Sequence, residues 1–252
     1  MPQHPHSPRT IAIGDIHGCS IALEKLLAAI QPDQSDTLVT LGDHIDWGPD
    51  SRGVLDILIG LSERCRLIPL LGNHEEMLLA ARQSRSELVY WMKLGGLATM
   101  DSYGKRSTWD DIPRSHFKFI ENCRPFYETD HFIFSHANYD PDRPMEKQSA
   151  QMLRWEHIDP MRLVPHSSGK TVIVGHTAQQ AGDILDLGFV VGIDTFCSGG
   201  GWLTALDTAT GHYWQANEQG SLNTGQRSTA WNNAESEMTF ARQRDGIPLD
   251  KS

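Results

Sequence analysis

Apolar runs of four to six residues recur along the first third of the chain, each closed by a glycine and followed by a stretch with helical spacing. Residues 10–13 (Thr-Ile-Ala-Ile) end at Gly14; Ile21, Leu23, Leu26, Leu27 and Ile30 then fall at helical spacing, closed by Pro32. Residues 37–41 form a second run ending at Gly42, and from Ser51 the positions Val54, Leu55, Leu58 and Leu61 again share one helical face. Residues 66–71 end at Gly72, and 75–82 read as helix. Strand and helix alternating three times predict parallel strands with crossover helices. Ligands of such sheets gather beyond the C-terminal ends of the strands.

The pattern changes at residue 86. Residues 86–122 have broken helical spacing and aromatic positions Tyr90, Trp91, Tyr103, Trp109, Phe117 and Phe119, which predicts a helical insertion over or beside a site. Residues 132–134 and 171–174 are strands leading to His136 and His176, separated by a loop-rich, proline-dotted stretch over 140–168. Short strands near 183–187, 189–193, 202–206 and 212–215, with turns at Gly188 and Gly211, predict a second, mostly antiparallel sheet. From Gly220 the chain is polar and reads as weakly ordered, with Trp231, Met238 and Phe240 available to dock on the core. The expected division is a disordered N-terminus over 1–9, one domain over 10–219 and a polar tail over 220–252.

Composition narrows the class without naming it. With 252 residues one large domain suffices, and 39% hydrophobic with 21% charged residues is ordinary for a soluble protein. No apolar stretch reaches the roughly 20 residues a membrane helix needs, and residues 1–10 hold no apolar signal core, so a cytoplasmic monomer away from membranes is expected. The net charge of −10 argues against a general nucleic-acid surface and sets a problem for any anionic substrate. Bound divalent cations solve that problem locally. Cys19, Cys65, Cys123 and Cys197 are scattered and read as free thiols. Cys19, near a helix start, is a side candidate for a lowered pKa and sensitivity to oxidation.

The chemistry lies at the strand ends. Gly14-Asp15-Ile16-His17-Gly18, Gly42-Asp43-His44-Ile45-Asp46-Trp47-Gly48 and Gly72-Asn73-His74-Glu75 each follow an apolar run, and Ser135-His136 and Gly175-His176-Thr177 add a histidine apiece. Asp15, His17, Asp43, Asn73, His136 and His176 mix carboxylate, amide and imidazole donors. That set suits two divalent ions and not a thiolate-bound structural zinc. Manganese, iron and zinc all remain open.

These fragments resemble the phosphoprotein phosphatase (serine/threonine phosphatase-like) branch of the calcineurin-like metallophosphoesterases, whose signatures are G-D-x-H-G, G-D-x-V-D-R-G and G-N-H-E followed by two isolated histidines. Residues 91–104, W-M-K-L-G-G-L-A-T-M-D-S-Y-G, are similar to the W-x-x-x-G-G-x-x-T-L-x-S-Y-G stretch of the bacterial single-domain members. Residues 193–206, I-D-T-F-C-S-G-G-G-W-L-T-A-L, are similar to their I-D-T-G-C-x-x-G-G-x-L-T-A-L. The resemblance implies an α/β fold, a two-sheet β-sandwich flanked by helices, with two metals at one end. It implies that Asp15 and His17 bind one metal, Asp43 bridges both, and Asn73, His136 and His176 complete the second. His74 would be the proton donor, paired with Asp46, and Glu75 would be structural. Physically, two ions about 3.5–4 Å apart share a water and lower its pKa, so that a bridging hydroxide exists at neutral pH to attack phosphorus in line. A histidine oriented by a carboxylate then protonates the leaving alkoxide.

The chain departs from those signatures where a substrate would bind. Trp47 stands in place of the arginine of G-D-x-V-D-R-G, and losing that charge-assisted hydrogen bond is worth about 1.5–3 kcal/mol, or about 10- to 100-fold in rate. Family members often carry a second arginine in L-W-x-R; here the segment is Leu153-Arg154-Trp155-Glu156-His157, which makes Arg154 the substitute candidate and Arg52 a weaker one. His44 is expected outside the ligand set. His4, His6, His116, His131, His157, His166 and His212 are expected on the surface or in packing. The leading expectation is a metal-dependent phosphomonoesterase acting on phosphorylated serine or threonine in a protein or peptide, or on a small phosphoester. The rival is symmetrical diadenosine tetraphosphate hydrolysis, with Trp47 stacking on a base. A third reading is a weakly active protein that binds phosphate ligands.

Overall fold

Alternation of side chains across strands assigns each apolar residue to one of two layers in the computed structural model, which describes residues 7–227. β1 (Thr10–Ile13), β2 (Thr37–Thr40) and β3 (Arg66–Pro69) are parallel neighbours. α1 (Ser20–Ile30) and α2 (Ser51–Leu61) are the crossovers, and α3 (Asn73–Ala81) follows β3. Asp50 starts α2 by accepting the Gly53 N–H at 2.9 Å. Ile11 and Ile13 pack with Leu23, Leu26, Val54 and Leu58 of the two helices. Ala12, Val39, Leu41, Ile68 and Leu70 belong instead to the layer between the sheets.

The insertion over 86–122 is helical as expected: α4 (Arg85–Trp91), α5 (Leu97–Ser102) and α6 (Arg114–Glu121). The helical path breaks between α4 and α5, where Gly95 takes a φ of 100°. Trp91, Met100, Ile112, Phe117 and Ile120 bury against Ile45, Leu55, Met77 and Leu78 in a cluster of their own. This cluster fixes the insertion beside the ends of β2 and β3.

The second sheet comprises β4 (Phe126–Glu128), β5 (Phe132–Ser135), β6 (Thr171–Val174), β7 (Leu185–Asp186) and β8 (Val190–Gly192) in the order β4-β5-β6-β8-β7. Phe134, Ile173 and Val191 face the first sheet. Ile133, Val172, Val174 and Val190 face Tyr139, Met145, Leu153 and Ile158, from the loop-rich stretch that includes α7 (Ala150–Arg154). β9 (Asp194–Thr195), β10 (Trp202–Asp207), β11 (His212–Ala216) and β12 (Leu222–Gln226) are the last strands among the described residues.

Two expectations are corrected here. The strands after residue 183 do not form one antiparallel sheet: β7 and β8 join the second sheet, whose centre is parallel, whereas β10 pairs antiparallel with β1. The first sheet therefore reads β12-β11-β10-β1-β2-β3, with β9 on β10. Without β10, β1 would be an edge strand; with it, Ile11, Ala12 and Ile13 are wholly buried. The sheet also runs past residue 219, because β12 pairs with β11 through its backbone. Its polarity is that of an exposed edge strand, which a reading of hydrophobicity mistakes for a tail. Trp231, Met238, Phe240, His4 and His6 lie outside the described residues. Among the described residues no helix is long and apolar enough to cross a membrane.

Arg9, expected in a disordered leader, is tied to Asp36 by its Nε at 3.1 Å and Nη2 at 2.6 Å. Burial opposes the charge of Asp36, but hydrogen bonds from Arg9 and the Asp33 N–H outweigh it and hold its pKa below the usual carboxylate value. A depressed carboxylate stabilises the fold above its unfolded pKa of about 4, and that stability is lost as pH falls through the lower folded value. Thermal melts from pH 7 to pH 2 are expected to put Asp36→Asn below the wild type at neutrality, with the gap closing below about pH 4. A gap that does not change with pH would show that the charge of Asp36 contributes nothing.

Candidate metal centre

Every ligand-type residue picked from the sequence sits just past a strand of one of the two sheets. Asp15 and His17 follow β1, Asp43 follows β2, and Asn73 and His74 open α3 directly after β3. His136 follows β5 and His176 follows β6. His17, Asp43 and His176 have φ of 45°, 47° and 60°. Left-handed backbone is costly for such residues and reverses the chain sharply, so the side chains turn back over the strand ends. Two glycines allow the close approach: a Cβ on Gly72 would strike Asp43 Oδ1, and one on Gly175 would strike Asp15 Oδ1.

Asp43 is the geometric centre. Its Oδ2 lies 3.4 Å from His136 Nε2, 3.5 Å from His17 Nε2 and 3.9 Å from His74 Nε2. Its Oδ1 accepts the His74 backbone N–H at 3.1 Å. His17 and His136 each direct Nδ1 at a backbone carbonyl, Ile45 O and Leu41 O, both at 2.9 Å. Donation there fixes the ring and leaves Nε2 for the site, the usual support of a metal-bound histidine. The His136 Nε2 faces two oxygens, Asp43 Oδ2 at 3.4 Å and Asn73 Oδ1 at 2.9 Å. Accordingly its pKa is raised: burial would lower it, and the Asp43 charge wins. Burial lowers His17 to about 4 and His176 to about 3, which keeps both rings neutral and their lone pairs available.

The acidic groups call for a cation. Asp15 accepts the His176 N–H on Oδ2 at 2.9 Å, but its buried Oδ1 has no hydrogen-bond partner. Burial, then the charges of Asp194 and Asp43, push its pKa well above the carboxylate range. Asp194, a residue the sequence reading passed over, is buried and raised to about 6 chiefly by burial. Its place in I-D-T-F-C was the available signal. Two donor groups share Asp43: His17–Asp43–His74 and Asp43–His136–His176, with ligand atoms within 4.8 Å of one another in each. An orphaned carboxylate oxygen beside neutral imidazoles and a shared carboxylate fits divalent ions.

Asp46 and His74 are brought together as a pair. His74 Nδ1–H donates to Asp46 Oδ2 at 2.7 Å. Burial would lower His74, but Asp43 and Asp46 outweigh it and its pKa is raised to about 9. The insertion grips Asp46 from the other side. Trp91 Nε1–H donates to the same Oδ2 at 2.8 Å, and Thr99 Oγ1–H donates to Oδ1 at 2.5 Å. This explains the spacing W…G-G…T: the break at Gly95 brings α4 and α5 onto Asp46, with no room for a Cβ against Asp46 and the Trp47 backbone, both at 2.9 Å. Trp91 and Thr99 were missed as functional residues, although that spacing held the signal.

Glu75, wholly buried, accepts the N–H groups of Asp43 at 2.9 Å, His44 at 2.8 Å and Gly72 at 3.0 Å, which fastens the second and third fragments together. His44 lies outside the donor groups, its Nε2 2.8 Å from Thr40 Oγ1.

Asp15, His17, Asp43, Asn73, His74 and His176 line a cavity of about 480 Å³, room enough for a small ligand, while His136 is wholly buried behind it. Trp47 lines it, 52% exposed and edge-on to His74 at 6.1 Å. Arg154 does not. Its guanidinium is spent on Glu76, with Nε at 2.9 Å and Nη2 at 2.8 Å, and Trp155 Nε1–H joins it on that carboxylate at 2.7 Å. His157 does line the cavity, its ring stacked on His176 at 4.4 Å, a correction to its expected place in surface or packing. Cys19 is also corrected: contact with Cys197 and burial raise its thiol pKa instead of lowering it.

The family model of the calcineurin-like phosphoesterases matches residues 8–217. The serine/threonine-protein phosphatase 1 of Salmonella typhimurium (strain LT2) is 45% identical over 85 residues, 33% of this chain and 37% of that protein. The symmetrical bis(5'-nucleosyl)-tetraphosphatase of Acidovorax sp. (strain JS42) is 51% identical over 70 residues, 27% of this chain and 24% of that protein. The match thus spans well under two thirds of either curated relative. A crystal structure of a protein provisionally described as a diadenosine tetraphosphatase superposes with a TM-score of 0.61 at 25% identity, covering 89% of this chain and 95% of its own.

Proposed function

Because the chain belongs to the calcineurin-like phosphoesterase family, whose members are metal-dependent, we propose that it hydrolyses phosphomonoesters at the Asp43-centred cavity, with phosphoserine or phosphothreonine in a protein or peptide as substrate. The observation that carries the chemistry is the shared carboxylate, Asp43, between two donor groups, beside a His74 ring whose Nδ1 is held by Asp46. Asp15, His17, Asp43, Asn73, His136 and His176 would hold two divalent ions of the manganese, iron or zinc class. When bound, such ions supply Lewis acidity toward phosphoryl oxygens and make water acidic enough to lose a proton near neutral pH. His74 stands within the cavity to protonate the leaving alkoxide, and Asp46 keeps the proton on its far nitrogen and the ring in one orientation. Trp91 and Thr99 keep Asp46 in place as positioning residues.

Support for the phosphopeptide substrate comes from the phosphatase relative and from the W…G-G…T stretch that grips Asp46. A second reading, hydrolysis of a dinucleoside polyphosphate, is favoured by Trp47 at the cavity, where it offers a ring face and no charge. Purified protein loaded with manganese is to be assayed on p-nitrophenyl phosphate, a phosphothreonine peptide and diadenosine tetraphosphate. Turnover of the first two is expected. Turnover confined to the dinucleotide would replace the leading reading with the second. Two bound ions with no turnover would leave a phosphate-binding protein.

A further inference from the structure

We propose that Trp47 and Phe196 form a subsite at the metal cavity for a planar aromatic ring carried by the phosphoester, which would extend the substrates beyond ring-free phosphoserine and phosphothreonine; the inference rests on hydrolysis at that cavity and not on the choice of those two substrates. Both residues line it, and no arginine or lysine among the described residues does. Phosphate affinity then falls to the cations, and affinity for the rest of the substrate falls to uncharged surface.

Both aromatic residues are held in left-handed backbone, Trp47 at φ 63° and Phe196 at φ 64°. A bulky aromatic residue adopts that conformation at a cost, and such strain persists where the surroundings enforce it. Each ring is backed by a glycine. A methyl on Gly95 would come within 3.0 Å of Trp47 Cδ2, and one on Gly199 would run into the Phe196 ring. These are also the positions at which the signatures quoted above read arginine, in G-D-x-V-D-R-G, and glycine, in I-D-T-G-C. The chain therefore has an indole where a charged fork would sit and a phenyl side chain where glycine would sit, both at the cavity. Trp47 stands edge-on to His74. A ring on the indole would lie beside the imidazole that protonates the leaving group, so the subsite belongs to the leaving-group side of the ester. Stacking of a planar ring on an aromatic side chain contributes about tenfold or more in affinity and tolerates different ring types.

The test compares metal-loaded wild-type, Trp47→Ala and Phe196→Gly proteins on two substrate pairs. AMP and ribose 5-phosphate share a leaving alkoxide and differ by the base. A phosphotyrosine peptide and its phosphoserine counterpart differ by the ring on the ester oxygen. In at least one pair each substitution is expected to lower the ratio of kcat/KM, ring-bearing over ring-free, by about tenfold. The pair that responds identifies the ring as a nucleobase or a phenol. Ratios that neither substitution changes in either pair overturn the subsite. Calorimetric binding of AMP and ribose 5-phosphate keeps this outcome separate from failure of the hydrolysis reading, since a protein without turnover still loses its preference for AMP if the subsite is real. Glycine accommodates the φ of residue 196, so Phe196→Gly is expected to melt no lower than the wild type. A melt several degrees lower, together with lost preference, would make Phe196 a packing residue and remove it from the subsite.

Discussion

Replacing His74 by asparagine is expected to slow phosphomonoester hydrolysis by about 100- to 10,000-fold, the range that general acid catalysis contributes, with bound metal unchanged. The ring is oriented by a single short bond, Nδ1 to Asp46 Oδ2 at 2.7 Å, and is packed edge-on against His17 at 4.8 Å. Nε2 is thereby turned toward the cavity, 3.9 Å from Asp43 Oδ2. With its pKa raised to about 9 the imidazole carries a transferable proton at neutral pH, and asparagine offers none. The geometry also makes a competing prediction. His74 belongs to the His17–Asp43–His74 donor group, so a metal content that falls in step with activity would make it a ligand. Metal analysis of the purified variant, beside its kcat, separates the two roles.

Glu75→Gln is expected to have the largest effect on stability, a loss of about 2–4 kcal/mol, seen as a fall in Tm of roughly 5–15 °C. The carboxylate divides three buried donors between its oxygens: Asp43 N–H and Gly72 N–H on Oε2, His44 N–H on Oε1. An amide has one acceptor oxygen, so its NH₂ must face at least one of those N–H groups. Removing a charged acceptor while leaving a buried donor unpaired carries the desolvation cost of that donor. The same bonds fasten the Asp43 turn to the start of α3, where Asn73 and His74 lie. Metal affinity, measured by titration under non-denaturing conditions, is therefore expected to fall as well. A variant with wild-type Tm and metal affinity would show that Glu75 does not hold the two turns together.

The candidate centre was legible in the sequence because its chemistry is carried by short local units. A strand, a glycine turn and one or two ligand-type residues are adjacent in the chain, and βαβ order alone puts the ends of β1, β2 and β3 at one edge. His136 and His176 were legible for the same reason, each following an apolar run. Partners distant in sequence were not legible. That β10 closes the flank of β1 depends on which face of each strand is buried, and isolated apolar runs do not say which strand they will join. The role of Trp91 was hidden because its indole reaches Asp46 across 45 positions, and that of Thr99 because a helix break at Gly95 separates it from Trp91.

Trp47 and Arg154 mark the boundary between the two kinds of knowledge. The sequence by itself determined that an indole replaces a charged fork, since side-chain chemistry travels with the residue. Only the tertiary structure decided that Arg154 does not replace the missing charge, because Glu76, on the exposed side of α3, takes both arms of its guanidinium. It likewise decided that Phe196 and His157 face the cavity. The physical reason is common to all three. Which groups a side chain can donate to, stack on or leave exposed is set by neighbours brought up by the packing of two sheets and an insertion, and local sequence holds no record of them.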